Sequence, residues 1–512
     1  MCTKRRIKCD RTEPQCLKCA SRGLSCPGFQ AVHLKWNQGI ASRGKNAGKH
    51  APVSCSKFFR NDQTAARNGR KASRSMIPEP LNSLAEDTSV SSSQALALLS
   101  VGPGLTKDVK LANASLSVSM FQTLIHHFCT KAVSRLTWID QPSHPWRTIV
   151  QSSLQYSACV QLSVSSLAAA HLSMTPGMSS EQSNSLFGIY CSLRDRCLRG
   201  LSAKMDSELR SSKSTVAESI DTIPAIEILA SMLALCYTEV FVPGSHNWKI
   251  HLRACRRIIN IYQLDARQST STDSVLKFLL KDINDMEILT GTTAFDNELL
   301  PFSSPSSQYS NTVSGWAFTS LIHKITTLER KRHLTKLANG ALCSVNMSVW
   351  HRHAEEAHKR TMACPRLRSA SQSQALRECF HALTRVYYYA TLIYSYQAFA
   401  TAEEKSSSIS TLIDGLLKDV KYTIAGSTHD LSHDLFFPLF IAGVETTFNR
   451  EQQVFVEKLF VESLSRTGIW CNYPALQFLR SLWSNPEHLL QHESWIDLAR
   501  ATVSTTGSFV VF

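Results

Sequence analysis

Apolar positions fall into helical registers over most of this chain. Val118, Phe121, Leu124, Ile125 and Phe128 recur at three- and four-residue intervals and so share one face of a helix, with His126 and His127 set among them. Pro145-Trp146 then marks a helix start, where a proline's missing N–H is not needed. Apolar positions continue through "SSLAAAHLS", and stronger helices are predicted over "IPAIEILASMLALCYTEVF" and "NWKIHLRACRRIINIY". Strand-type alternation is scarce, and the segments around 265–275 and 301–314 read as loops or insertions. The expected fold class is all-α. The most apolar stretch, Ile226 to Val242, is interrupted by Glu227 and Glu239 and falls short of the roughly 20 residues that a membrane crossing needs. No membrane span is expected.

The pattern changes ahead of residue 114. Residues 29–113 are rich in Ser, Ala, Gly, Lys and Arg, as in "NQGIASRGKNAGKH" and "RNDQTAARNGRKASR", and read as a disordered, flexible basic linker. Such a segment suits nonspecific phosphate contacts or nuclear import. It has no sustained heptad, so coiled-coil dimerisation is not expected there, and oligomeric state and half-site spacing stay open.

Charge sharpens this division. The formal net charge is +15, and residues 1–74 hold seventeen Lys or Arg against Asp10, Glu13 and Asp62, which leaves the rest nearly neutral. A neutral body with a basic arm is the layout of a polyanion binder, although a merely solvated tail has the same composition. With 43% hydrophobic residues, the remainder of the 512-residue chain can bury a large core.

Five of the sixteen cysteines lie within the first twenty-six residues, as Cys2-x6-Cys9-x6-Cys16-x2-Cys19-x6-Cys26. The others, such as Cys129, Cys159, Cys236 and Cys471, are scattered and read as small buried apolar residues. No apolar leader precedes the cluster, which points to a reducing compartment and to metal ligands rather than disulfides. With one further cysteine three residues before Cys2, the array becomes two near-copies of C-x2-C-x6-C.

That repeat, "CTKRRIKCD", "PQCLKCASRGLSC" and the loop residue Pro14 resemble the fungal Zn2Cys6 binuclear zinc cluster DNA-binding domain over residues 1 to about 28. The resemblance implies two short helices around two Zn2+ ions, with Cys2, Cys9, Cys16, Cys19 and Cys26 as ligands. Zinc takes four thiolates in a tetrahedron, so two ions need eight contacts, and six cysteines suffice when two of them bridge. By the resemblance Cys16 is one bridge and the absent residue is the other, which leaves each site one ligand short. A start placed too late, or an unread first exon, accounts for the missing cysteine. A genuine loss is the second reading; so short a segment would then be unfolded for want of metal. Completion by the Met1 amine or a water is a third.

The resemblance also assigns contacts to double-stranded DNA. Thr3 to Lys8 corresponds to the helix whose end enters the major groove, which makes Arg5 and Arg6 the base-reading candidates. An arginine fork bonds guanine O6 and N7 together, in keeping with CGG-type half-sites. Lys4, Lys8, Arg11, Lys18 and Arg22 are assigned to phosphates, which add affinity without sequence information.

Further along, "LIHHF", "PWRTIV", "SSLAAAHLS", "NWKIHLRACRRII", "LFFPLFIAGVE" and "SWIDLARATVSTTGSFVVF" resemble, in that order, the fungal-specific transcription factor domain of the second type. The likeness runs from roughly 115 to 512. It implies three parts: a zinc cluster (1–28), the linker (29–113) and a helical regulatory domain (114–512). Such a domain restrains the arm or relays a signal, with co-regulators or a small-molecule effector as partners, in the nucleus. Ala254 and Cys255 depart from the glycine–alanine pair of relatives. The tyrosines of "RVYYYATLIYSYQAF" (Tyr387, Tyr388, Tyr389, Tyr394, Tyr396) suit a pocket or, on the usual bias of aromatic residues, the core.

Enzyme motifs do not fit. His353 and His358 are five apart, where a zinc-protease helix needs four. Gly102-Pro103-Gly104 lacks the third glycine of a nucleotide loop, and there is no GxSxG elbow. The chain is expected not to be an enzyme. The rival readings are a helical enzyme of unseen site and a regulator with a defective arm acting through protein partners.

Overall fold

A computed structural model describes residues 19, 21–22, 118–137, 140–153, 157–175, 177–211, 223–267, 274–295, 316–339, 345–363, 374–425, 431–506 and 509. The linker 29–113, the segment 301–314 and all of the zinc cluster apart from residues 19, 21 and 22 lie outside them. The described residues are 84% helical without a strand, so the all-α expectation holds for them. The chain divides into two units, Met1–Met76 with Leu201–Ser212, and Ile77–Gly200 with Lys213–Phe512. In the first, Cys19, Ser21, Arg22 and the last turns of one helix are described.

The second unit is a helical body. Helix α1 (Val118–His127) runs through a π-helical turn, Phe128–Ala132, into Val133–Arg135, and buries Phe121, Leu124, Ile125 and Phe128, the face read from the sequence. Helix α2 (Pro145–Ser153) begins at the expected proline, and α3 (Ala158–Ser173) is buried on nearly all sides. Helix α4 (Ser180–Ser211) is long and polar. Helix α5 (Ile223–Val240) packs against α3 and α6 (Trp248–Ile261). The length and composition of α5 would allow a membrane crossing, so the expectation that it is too short is corrected; yet 78% of it is buried among its neighbours, as befits a core helix. The expected loop at 265–275 holds a short helix, Leu264–Arg267, before α7 (Ser274–Gly291). Trp146, fully buried, joins these elements edge-on to Phe128, Tyr237 and Phe278.

Among the described residues eight longer helices follow, with a four-residue helix, Glu487–Leu490, before the last of them: α8 (Phe318–Asn339), α9 (Met347–Met362), α10 (Gln374–Phe399), α11 (Ala402–Ala425), α12 (Phe436–Glu445), α13 (Arg450–Thr467), α14 (Tyr473–Ser484) and α15 (Trp495–Thr506). Helix α10 is their axis, touching α8, α9, α11, α12 and α15. Its tyrosines answer the core-or-pocket question. Tyr387, Tyr394 and Tyr396 are buried, and both Tyr387 and Tyr394 pack against Phe437 of α12. Tyr388 and Tyr389 are half-buried, and Tyr389 lines a surface pocket with Arg385, Asp419 and Tyr422, so both readings hold, for different tyrosines.

Local chemistry fixes the helix ends. Asn346 and Asn449 accept backbone N–H bonds at the starts of α9 and α13. Thr401 and Glu404 form a reciprocal capping box at the start of α11. Gly468 ends α13 with φ +72, a left-handed conformation that other residues adopt at a cost.

Candidate metal centre and nucleic-acid interface

Of the residues assigned to zinc and DNA, the structure describes two, Cys19 and Arg22. Cys2, Lys4, Arg5, Arg6, Lys8, Cys9, Arg11, Cys16, Lys18 and Cys26 lie outside the described residues. Cys19 has helical backbone and is 2% exposed. Its carbonyl accepts the N–H of Arg22 at 3.1 Å, closing a turn that leaves Ser21 and Arg22 exposed. A thiol shielded on a helical turn fits a zinc ligand, and an exposed guanidinium beside it fits a phosphate contact.

The cysteines of the helical body differ in chemistry. Cys129, Cys159, Cys191, Cys197, Cys236, Cys255, Cys379 and Cys471 form no disulfide with one another. Burial pushes Cys129 up to about 11 and drives Cys197 and Cys236 far above the usual thiol range, because a thiolate there would lose its hydration. Cys236 donates its S–H to the Trp248 carbonyl and Cys197 to that of Cys159. These protonated sulfurs pack as small apolar groups, as expected. Ala254 and Cys255, the departure from the glycine–alanine pair, are both buried in α6.

Two polar clusters in the body had no sequence signal. In the first, Glu239 of α5, 1% exposed, accepts from Tyr190 (3.3 Å), Asn247 (3.4 Å), Arg194 (3.5 Å) and Ser245. His251 lies 4.0 Å away, and burial holds its imidazole down at about 4 against the pull of that carboxylate. The cluster ties α4, α5 and the turn before α6 together.

In the second, Glu329 and His333 on α8 meet Asp497 on α15, a grouping with the donor types of a metal site. The guanidinium of Arg500 fills that role instead. It donates to Asp497 at 2.6 Å, to His333 Nδ1 at 3.0 Å, and to Glu329, which is also paired with Arg330. Since arginine can only donate, His333 must present an unprotonated Nδ1. The centre already holds its cation, so we read it as a brace between α8 and α15.

The histidines of the rejected protease-like motif both lie on α9 but have different neighbours. His353 stands against Trp350, whereas His358 stands against Tyr388 of α10.

Comparison with known proteins bears on both units. The family model of the fungal Zn(2)-Cys(6) binuclear cluster domain matches residues 1–32. That of the fungal specific transcription factor domain matches residues 123–505. No curated protein and no solved structure is matched by the chain. The first match implies zinc and DNA binding, and both belong to transcription regulators rather than enzymes. Because the second match spans well over half of its length, the chain belongs to the fungal specific transcription factor family, with a zinc–cysteine cluster as its DNA-binding domain.

Proposed function

We propose that the protein is a nuclear, sequence-specific regulator of RNA polymerase II transcription whose arm reads CGG-type half-sites. The cysteine ladder of residues 2–26 with its basic insert, within the stretch matched by the cluster family, carries this reading. Cys2, Cys9, Cys16, Cys19 and Cys26 would hold the zinc of such a cluster, and a further thiolate three positions before Cys2 would complete its ligand set. The metal supplies the fold of the arm, since a piece of this size has too little apolar surface to order itself. Arg5 and Arg6 read guanine edges, while Lys4, Lys8, Arg11, Lys18 and Arg22 neutralise phosphates. The helical body restrains the arm or passes a signal to it, with co-regulators or a small-molecule effector as partners.

The test is zinc content and duplex binding in two forms of the full chain. One has the present sequence; the other is lengthened so that a cysteine stands three positions before Cys2. The lengthened form should hold two zinc ions and bind a CGG-containing duplex, and the present form should hold zinc poorly. A lengthened form that stays metal-free or ignores DNA overturns the proposal. Five cysteines where the cluster needs six favour one second reading, a regulator with a defective arm that acts through protein partners. Failure of both forms on DNA with retained binding to co-regulators supports it.

A further inference from the structure

A cavity of about 580 Å3 lies on the surface of the helical body where α10 and α11 pack together. Its size lies within the range of small-molecule sites. Arg385 and Tyr389, one turn apart on α10, face Gly415, Asp419 and Tyr422, which share one face of α11. The glycine seats the first of the two rings. A Cβ built on Gly415 would lie 2.7 Å from Tyr389 Cζ and 2.9 Å from its Cε1, so the Tyr389 ring rests directly on the backbone of α11.

The polar groups around this cavity divide into spent and unspent. Arg385 and Asp419 are spent on each other: Nε donates to Oδ2 at 2.9 Å and Nη2 to Oδ1 at 2.8 Å, a bidentate pair that neutralises the carboxylate in the wall. Lys418 and Lys421 also line the cavity, three positions apart on α11 and both exposed. Among the described residues neither ammonium has an ion pair or a hydrogen bond, and Asp414, one turn before Lys418, does not reach it. The hydroxyls of Tyr389 and Tyr422 likewise have no hydrogen-bond partner among those residues. Tyr422 holds its ring 48% exposed, and no ring contact joins it to Tyr389, whose ring neighbour is Tyr388. A lone surface lysine is ordinary. Here two unmatched ammoniums, two unused phenols and two separate aromatic rings meet at one cavity whose lining acid is already paired.

We propose that this cavity binds an aromatic oxyanion, a flat ring carrying a carboxylate or a phosphate. The ring lies against Tyr389 and Tyr422, where aromatic faces gain by packing on one another. The oxyanion accepts from Lys418 and Lys421, which makes charge-assisted hydrogen bonds at no cost in broken pairs. Occupancy adds a second tie between α10 and α11 beside the Arg385–Asp419 pair, and α10 is the axis on which the later helices pack. The inference rests on the reading of the body as regulatory, but its test reads ligand binding without DNA, so the two can fail separately.

The experiment is calorimetric titration of the full chain with 2-naphthoate and 2-naphthyl phosphate at equal ionic strength. Naphthalenemethanol is the uncharged control, and acetate and inorganic phosphate are the controls without a ring. At least one naphthyl anion should saturate at one molecule per chain where the three controls do not, and the stronger of the two names the oxyanion. Lys418→Gln combined with Lys421→Gln should weaken that binding about tenfold or more, as for loss of charge-assisted hydrogen bonds. Tyr422→Ala, at an exposed position, should weaken it about fivefold, the worth of one aromatic contact. Gly415→Ala, which unseats the Tyr389 ring and leaves every charge in place, should also weaken it, and circular dichroism melts confirm that each variant is folded. Absence of saturable binding by both naphthyl anions overturns the proposal. So does equal binding of acetate or inorganic phosphate, or binding that survives the paired lysine substitutions and Tyr422→Ala unchanged.

Discussion

Gly443 of α12 and Leu479 of α14 are in such close contact that a Cβ built on the glycine would lie 2.5 Å from Leu479 Cδ1. Leu479 is fully buried, so it cannot relieve that contact by turning out into solvent. The Gly443 carbonyl also accepts the indole N–H of Trp483 at 2.8 Å, so the two helices are fixed by a hydrogen bond at the same point. Gly443→Ala should therefore force α12 and α14 apart and lower stability by about 1–3 kcal/mol, the usual cost of overpacking. Gly188 of α4, with nothing within 4 Å of its would-be Cβ, gives the opposite sign. Gly188→Ala should raise stability by about 0.5–1 kcal/mol through helix propensity. Urea midpoints of the two variants check both.

Burial separates the ion pairs that matter from those that do not. Arg500 and Glu329 have 17% and 8% of their side chains exposed, against 41% and 68% for Lys336 and Glu493. Arg500→Met leaves Glu329 with Arg330 alone and removes the donor to His333, so it should cost about 3 kcal/mol. Lys336→Met should cost less than about 1 kcal/mol, because a solvated pair gains little. Chemical denaturation distinguishes them, and equal losses would show that Arg500 is no brace.

An acid-labile element lies under α1. His127 Nε2 and His171 Nδ1 are 2.8 Å apart, which requires at least one neutral ring. Burial, helped by Lys131 beside His127 and by His127 and Arg135 near His171, lowers the two from 6.5 to about 4 and about 3. The unfolded chain therefore takes up protons first as pH falls. The contribution of the pair is complete above about pH 6.5 and is lost on descending toward 4 and 3, at up to about 1.4 kcal/mol per pH unit for each imidazole. His171→Gln keeps a hydrogen-bonding partner for His127 but removes one titration. Stability measured at pH 5 and pH 7 should differ less in this variant than in the parent chain by about one proton's worth.

What the sequence disclosed follows the range over which each signal acts. The faces of α1 and α6, the proline start of α2 and the extent of α5 are set by residues three or four apart, so periodicity located them. The cysteine ladder is equally local, because metal ligands in a small cluster keep short spacings. The Arg500 brace was invisible for the converse reason: Glu329 and Arg500 are 171 positions apart and meet only once α8 and α15 are packed. The Glu239 cluster likewise gathers Tyr190 and Arg194 across more than forty positions. Nor did anything mark Leu264–Arg267 as helical; four residues are too few to show a period. The end of the chain gives a last example, since "SFVVF" names an apolar tail but not its seat. Phe509 packs on Phe440 and Phe478, and its carbonyl accepts a bond from Thr293 far upstream.

The roles assigned to the arm make a separable prediction on DNA. If Arg5 and Arg6 read guanine, Arg5→Ala and Arg6→Ala in the lengthened, zinc-loaded chain should each cost about 1–3 kcal/mol on a CGG duplex and much less on a scrambled one, so that preference relaxes. Lys18→Ala and Arg22→Ala remove a phosphate contact and should weaken both duplexes alike, lowering the slope of log affinity against log salt by about one. Arg22 is the informative member of this set, because its exposed turn beside Cys19 is described and its loss leaves the ligand in place. Fluorescence anisotropy on the two duplexes at several salt concentrations reads every term. Equal losses on both sequences for all four variants would mean that the arm holds DNA without reading it, and the base-contact assignment would fall while zinc binding stood.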